Sequence, residues 1–188
     1  MNYDKITKGF ELIEKLNKQF NNEIEIWRTI RDYPNYSVST FGRVRNDNTN
    51  KILKNQNSNA GYKSVTLCKN GKVKKVQIHR LVAHAFISNP HNKPCVDHID
   101  NSKGNNRIDN LRWATISENG MNCKIPNTNT SGTKGVWWDK ERKKWCAEIM
   151  RNNKKSYLGR FDDIEEAIQA RQDKAKQLFG EYMNNCEK

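Results

Sequence analysis

The sequence predicts an α+β protein, with a β-β-α hairpin in the middle of the chain and, after it, a small three-stranded antiparallel sheet packed on one helix. Three observations carry that prediction. EIEIWRTIRDYPNYSVSTFGRVRN alternates apolar and polar residues and contains Pro34 and Gly42, a texture of short strands and turns. Strand-like runs around VDH and LRW lead into Thr115-x-x-Glu118, the capping-box pattern that opens a helix. After an Asn- and Thr-rich stretch, GVWWD, KKWCAEIMR and KKSYLGRF read as three strands, and IEEAIQARQDKAKQLF places apolar residues at helical spacing.

In chain order, residues 1–22 place Ile6, Phe10, Ile13, Leu16 and Phe20 three and four apart among charges, an amphipathic helix that leaves open a dimer in an otherwise monomeric reading. Residues 23–122 follow as one domain. Inside it GYKSVTLCKNGKVKKVQIH reads as a strand pair turning at Asn70-Gly71, and HRLVAHAFI as a short helix. Residues 123–131 are rich in Asn, Thr and Pro and read as a linker. Residues 132–183 form the last module, whose helix has a capped start at Asp162 with Glu165 and a stop at Gly180.

Only 35% of the 188 residues are hydrophobic, which suits two or more small modules better than one large core. The net charge of +13 implies an acidic partner, nucleic acid being the commonest. That charge is concentrated: residues 28–124 hold 17 Lys and Arg against 6 Asp and Glu. No run approaches the roughly 18 apolar residues of a membrane span, and the N-terminus lacks an apolar signal core, so a soluble intracellular protein is expected. The five cysteines, Cys68, Cys95, Cys123, Cys146 and Cys186, form no CxxC pair, which predicts reduced thiols and no zinc site.

The chemistry concentrates at VDHID, residues 96–100. A lone Asp-His pair is ordinary in loops. Here, however, Asn110 lies twelve residues beyond His98, and Asn119 nine beyond that in the first turn of the capped helix. The β-β-α hairpin would bring Asp97, His98 and Asn119 together. Oxygen donors from Asp97 and Asn119 suit a hard divalent cation, Mg²⁺ or Mn²⁺, that keeps waters and takes further oxygens from a substrate phosphate. His79 and His84, five apart on or beside the HRLVAHAF helix, read as structural, His91 as a loop residue, and Asp100 and Asp109 as loop-solvating or capping groups.

Residues 25–122 resemble the HNH endonucleases with a ββα-metal site, especially homing endonucleases of phage introns, through VDHID, NNRIDNLRW and Asn119. EIWRTIRDYPNYSVSTFGRVRN resembles the module often found at the front of such nucleases. The resemblance implies that Asp97 and Asn119 hold one metal ion, that His98 is the general base, and that Asn110 ties the hairpin loop together so that the base is aimed. Many relatives have His where Asn119 stands, and phage-type members share the Asn. Hydrolysis of a phosphodiester needs an activated water, charge neutralisation and help for the departing 3′ oxygen. An imidazole serves the first need near neutral pH and a metal the other two. The implied activity is site-directed cleavage of double-stranded DNA, leaving a 5′ phosphate and a 3′ hydroxyl. A DNA-binding regulatory protein on the same scaffold is the alternative. An RNA-binding protein fits the charge but leaves the Asp-His-Asn-Asn spacing unexplained.

Residues 131–182 resemble the DNA-binding domain of plant ethylene-response factors (the AP-two type), in which a three-stranded sheet enters the major groove and one helix packs behind it. Alternation puts Trp145, Ala147 and Ile149 on one side of the middle strand and Cys146, Glu148 and Met150 on the other. By position, the resemblance turns Trp137, Asp139, Glu148, Met150, Lys155 and Tyr157 toward DNA. Trp137, Asp139 and Met150 replace arginines of the plant domain, so its base preference does not carry over. Arg142, Lys143, Lys144, Arg151, Lys154 and Arg160 are expected at phosphates, which position a protein without specifying sequence.

Overall fold

A computed structural model describes residues 24–123, 125 and 127–183, so the expected N-terminal helix lies outside the described residues. The chain divides into two compact units, residues 1–86 and 87–188.

In the first unit, β1 (Trp27–Ile30), β2 (Tyr33–Ser39), β3 (Val44–Asn46) and β4 (Lys51–Ile52) form a four-stranded sheet in that order. β5 (Gln56–Asn57), β6 (Lys63–Lys69) and β7 (Lys72–Gln77) form a second, three-stranded sheet. Asn70 and Gly71, at φ 53° and 73°, make the two-residue turn between β6 and β7, the conformation for which Asn-Gly is suited because both central residues need positive φ. Helix α1 (Ile78–Phe86) packs against strands of both sheets. Val38, Val44, Val65, Leu67, Ile78 and Val82 are sealed from solvent. His79 is buried with its ring 4.9 Å from that of Tyr62, whereas His84 and His91 are exposed.

The second unit opens with the antiparallel pair β8 (Cys95–His98) and β9 (Leu111–Ala114), with Asp97 opposite Arg112 and His98 opposite Leu111. A 3-10 turn at Ile108–Asn110 delivers the chain into β9. Helix α2 (Ile116–Met121) starts at the expected capping box: the Glu118 amide donates to Thr115 Oγ1 and the Thr115 amide to Glu118 Oε2. It packs against both strands. Then β10 (Val136–Asp139), β11 (Lys144–Arg151) and β12 (Lys154–Phe161) form an antiparallel sheet, and α3 (Ile164–Phe179) lies against all three strands.

Alternation on β11 holds: Ala147 and Ile149 are buried against α3, with Trp145 and Phe161 packed at the same core. Cys146, on the opposite face, is buried nonetheless, because Trp137 and Arg160 flank it across the sheet and Tyr157 Oη lies 3.9 Å from its sulfur. A bulge between Ala147 and Glu148 skips Leu158, which packs with the core clusters, and Gly159 takes φ 140° there. The bulge keeps Tyr157 and Arg160 on one face despite their odd spacing.

Two details depart from the sequence reading. The cap of α3 is Asp163, which accepts from the Glu165 amide, while Asp162 pairs instead with Lys144. The division into units falls after Phe86 rather than in 123–131. The physical reason is a shared core: Met121 of α2 packs with Ile149, Ala175, Phe179 and Met183. The expected linker is also tied down, since Ser131 Oγ donates to the Val136 carbonyl at 2.7 Å and Lys134 Nζ to the Met121 carbonyl at 2.8 Å.

Candidate functional site

Asp97 and His98 end β8, and both are 5% exposed. A carboxylate so buried needs donors, because desolvation disfavours its charge. Arg112, directly across the ladder, donates Nε to Asp97 Oδ2 at 2.8 Å, with Nη2 at the same distance. Asn122 Nδ2 adds bonds to Oδ1 at 2.9 Å and Oδ2 at 3.1 Å, and reaches the His98 carbonyl at 2.7 Å. Asn101 in turn donates to Asn122 Oδ1 at 3.1 Å. Asp97 Oδ2 is thus surrounded by donors from two residues, while Oδ1 takes Asn122 alone and keeps more of its lone-pair capacity.

The His98 ring meets Asn106, also buried, with Nε2 3.1 Å from Oδ1. With the Asn106 amide oxygen accepting, this contact would put the proton of a neutral imidazole on Nε2 and leave Nδ1 as its basic nitrogen. Asn110 sits at the end of the 3-10 turn. Its Oδ1 accepts from the Asp100 amide at 3.0 Å, and its Nδ2 donates to Asp100 Oδ1 and to the Asn105 carbonyl, both at 2.8 Å. These bonds close the loop between β8 and β9 around one side chain. Burial pushes Asp100 up, but donors from Asn105, the Ser102 amide and Asn110 outweigh it and hold the carboxyl below its usual value. Its hydrogen bonds are those of a loop brace.

Asn119 stands in α2 three residues before Asn122, and residues three apart share a helix face. Among the described residues the Asn119 side chain makes no hydrogen bond. Also among them, no cluster of three or more His, Cys, Asp and Glu could hold a metal. A cation at Asp97 and Asn119 would therefore complete its shell with water and substrate oxygens. Hard Mg²⁺ or Mn²⁺ accepts that donor set, since such ions keep waters and share phosphate oxygens.

The second group of expected contacts lies on the β10–β12 sheet. Trp137, Glu148, Met150, Lys155, Tyr157 and Arg160 share its outer face, paired across strands as Glu148 with Tyr157 and Met150 with Lys155. Arg142 and Lys143 occupy the first turn, Lys144 starts β11, and Arg151 and Lys154 flank the second turn. Several cations already have acidic neighbours: Arg142 and Arg160 with Asp139, Lys144 with Asp162, and Lys155 with Glu148. The Arg142 amide, more than any other group, holds the Asp139 carboxyl below its usual value. Among the described residues, Lys143, Arg151 and Lys154 make no ion pair.

The sequence reading missed Arg112, Asn106 and Asn122. Antiparallel register is the signal that could have found Arg112, since it falls opposite Asp97 once the hairpin is drawn. Helical spacing from Asn119 is the signal that could have found Asn122, which caps the end of α2, whereas Asn106 carries no such signal because it acts from a loop of irregular backbone.

The NUMOD4 motif matches residues 25–68, and the HNH endonuclease family matches residues 76–121. The chain is 47% identical over 117 residues to the uncharacterized HNH endonuclease L247 of Acanthamoeba polyphaga mimivirus, covering 60% of this chain and 29% of that protein. It is 39% identical over 111 residues to the DNA endonuclease I-HmuI of Bacillus phage SP01, covering 58% of this chain and 61% of that one. A solved structure describing DNA binding and cleavage by I-HmuI aligns with TM-score 0.46 and 42% identity over 48% of this chain and 52% of the other. Protein 3.8 of Escherichia phage T7 is 37% identical over 87 residues, covering 46% of this chain and 71% of that protein. The chain thus spans about a third of the mimivirus protein's length and about three fifths of I-HmuI's. Neither family match extends past residue 121. With the buried Asp-His pair, the braced loop and the capped helix all inside or at the edge of the matched segment, the chain belongs to the HNH endonuclease family and carries a NUMOD4 motif ahead of its nuclease segment.

Proposed function

We propose that the protein is a site-directed DNA endonuclease of the homing type, hydrolysing phosphodiester bonds with His98 as general base and one divalent cation, Mg²⁺ or Mn²⁺, held by Asp97 and Asn119. The observation that carries the reading is the buried Asp97–His98 pair. Its ring is oriented by Asn106, and its loop is closed by Asn110. His98 Nδ1 would take a proton from a water placed in line with the 3′ oxygen. As the new P–O bond forms, the bond from phosphorus to the 3′ oxygen breaks, leaving a 5′ phosphate and, once that oxygen is protonated, a 3′ hydroxyl. The cation, when bound, supplies charge neutralisation on the phosphate and on the departing oxygen. Arg112 and Asn122 supply the donors that hold the Asp97 carboxylate in place, and Asn119 adds a neutral oxygen.

The outer face of the β10–β12 sheet is assigned to duplex DNA, in the manner of ethylene-response-factor domains. Trp137, Glu148, Lys155 and Tyr157 would lie toward base edges, and Arg142, Lys143, Lys144, Arg151, Lys154 and Arg160 would meet the backbone. Among the cations, Lys143, Arg151 and Lys154 are the strongest candidates, since they need break no ion pair first.

The test is incubation of supercoiled plasmid carrying candidate target sites with the full chain plus Mg²⁺ or Mn²⁺, with EDTA, and with His98→Ala. Metal-dependent nicking that disappears in the variant while DNA binding persists is the expected result. A target bound tightly and left uncut under every metal would show instead a DNA-binding protein that keeps the scaffold without its chemistry.

A further inference from the structure

The last turn among the described residues of the second unit reaches back to the strand that serves Asp97. After α3, a 3-10 turn at Gly180–Tyr182 brings the Glu181 carbonyl to within 2.7 Å of Arg112 Nη1. Arg112 Cζ lies 4.2 Å from the centre of the Tyr182 ring. The Tyr182 hydroxyl is fixed in turn: it donates to the Trp113 carbonyl at 3.0 Å and accepts from Lys93 Nζ at 3.0 Å. Lys93 completes the chain by pairing with Glu118 of the capping box at 3.0 Å.

A guanidinium is a planar fork, so holding two edges and one face leaves it little freedom. Here one edge meets Asp97 Oδ2, another nitrogen meets a main-chain carbonyl, and one face lies on an aromatic ring. Asp97 Oδ2 can be held in one place only as firmly as Arg112 is, and Arg112 depends on residues more than sixty positions further along the chain.

We propose that Tyr182, together with the Glu181 carbonyl, is a positioning element for the Asp97 carboxylate, acting through Arg112. The C-terminal module then completes the cation-binding site as well as facing DNA. The inference rests on the reading of Asp97 as a cation ligand. Tyr182 touches no reacting atom and is not a catalytic residue. Outer partners that orient a ligand commonly change metal affinity by about 10- to 100-fold, which is the scale at which the effect should be read.

The experiment compares the unaltered full chain with Tyr182→Leu, Tyr182→Phe and Asp97→Ala. Mn²⁺ binding is followed by EPR without DNA, and the Mn²⁺ dependence of plasmid nicking is measured in parallel. Thermal midpoints and duplex affinity are recorded for every protein. Tyr182→Leu, which removes the ring and the hydroxyl, is expected to raise half-saturating Mn²⁺ roughly tenfold in both assays. Tyr182→Phe keeps the ring over Arg112 and should raise it only about threefold. Duplex affinity should stay within about twofold, because neither change removes a cation. Should the Leu variant not fold, the Phe variant decides. If Asp97→Ala abolishes Mn²⁺ binding while both Tyr182 variants titrate like the unaltered chain, the positioning role is overturned and the ligand reading stands. If Asp97→Ala leaves Mn²⁺ binding intact, the ligand reading fails and takes the positioning role with it.

Discussion

Asn122 serves three acceptors with one amide nitrogen, both oxygens of Asp97 and the His98 carbonyl, and is 1% exposed. Asn122→Ala would leave a buried carboxylate and a buried carbonyl each short of a donor. A loss of about 2 kcal/mol of stability is expected, measured by urea denaturation. Asn106 acts differently, because its contact concerns the orientation of a ring. Asn106→Ala should lower single-turnover cleavage by about tenfold or more while gel-shift affinity holds, since a misaimed base loses part of its advantage without loosening the DNA. Unaltered cleavage would show that the ring is aimed by something else.

At the level of elements, α2 has only six residues and depends on its ends. Thr115→Ala removes the cap that receives the Glu118 amide and should cost about 1 kcal/mol. Burial raises Glu118, but the Thr115 amide and Lys93 outweigh it and leave the carboxyl below its usual value, as with Asp100. Groups with depressed folded values stabilise the protein above their unfolded values and lose that contribution as pH falls through the folded ones. Acid should therefore loosen this loop and helix below the ordinary carboxylate range. Lys93 works in the opposite sense: the Tyr182 hydroxyl bond, chiefly, raises it, so its contribution is complete below its ordinary value of 10.5 and fades as pH rises through the folded one. A stability–pH profile by thermal melting checks both limbs. In the turn that leads into β10, Gly135 has φ 70° and a Cβ added there would lie 2.2 Å from the Glu148 carbonyl oxygen. Gly135→Ala combines left-handed strain with a backbone clash and should cost about 3 kcal/mol, seen as a lowered Tm.

At the scale of the whole chain, residues 87–188 share one core, and α2 contributes Met121 to it. Deleting residues 131–188 would uncover that core, so a truncation reports on folding before it reports on DNA. Charge removal is the cleaner probe. Replacing Lys143, Arg151 and Lys154 by Ala should flatten the log–log salt dependence of binding by about 0.9 for each phosphate no longer neutralised, with stability nearly unchanged, because all three are exposed. An unchanged slope would assign the phosphates to other cations. No helix among the described residues is long and apolar enough to cross a membrane.

Local rules made much of this protein legible in advance. Asn70-Gly71 demanded positive φ, Thr115 and Glu118 demanded a helix start, and alternation on β11 sorted Ala147 and Ile149 from Glu148 and Met150. Each depends on neighbours a few residues away, which a sequence displays directly. VDHID also stood out through its spacing to Asn110 and Asn119, and Asn110 does close the loop that follows it. Only tertiary structure decided what surrounds Asp97 and His98: Arg112 by register, Asn106 across a loop, Asn122 from the end of α2, and, touching Arg112, Tyr182 from far along the chain. The same holds for the boundary after Phe86, which depends on where Met121 finds apolar partners. Burial of a carboxylate creates a need for donors, but which residues meet it is settled by packing between elements distant in sequence.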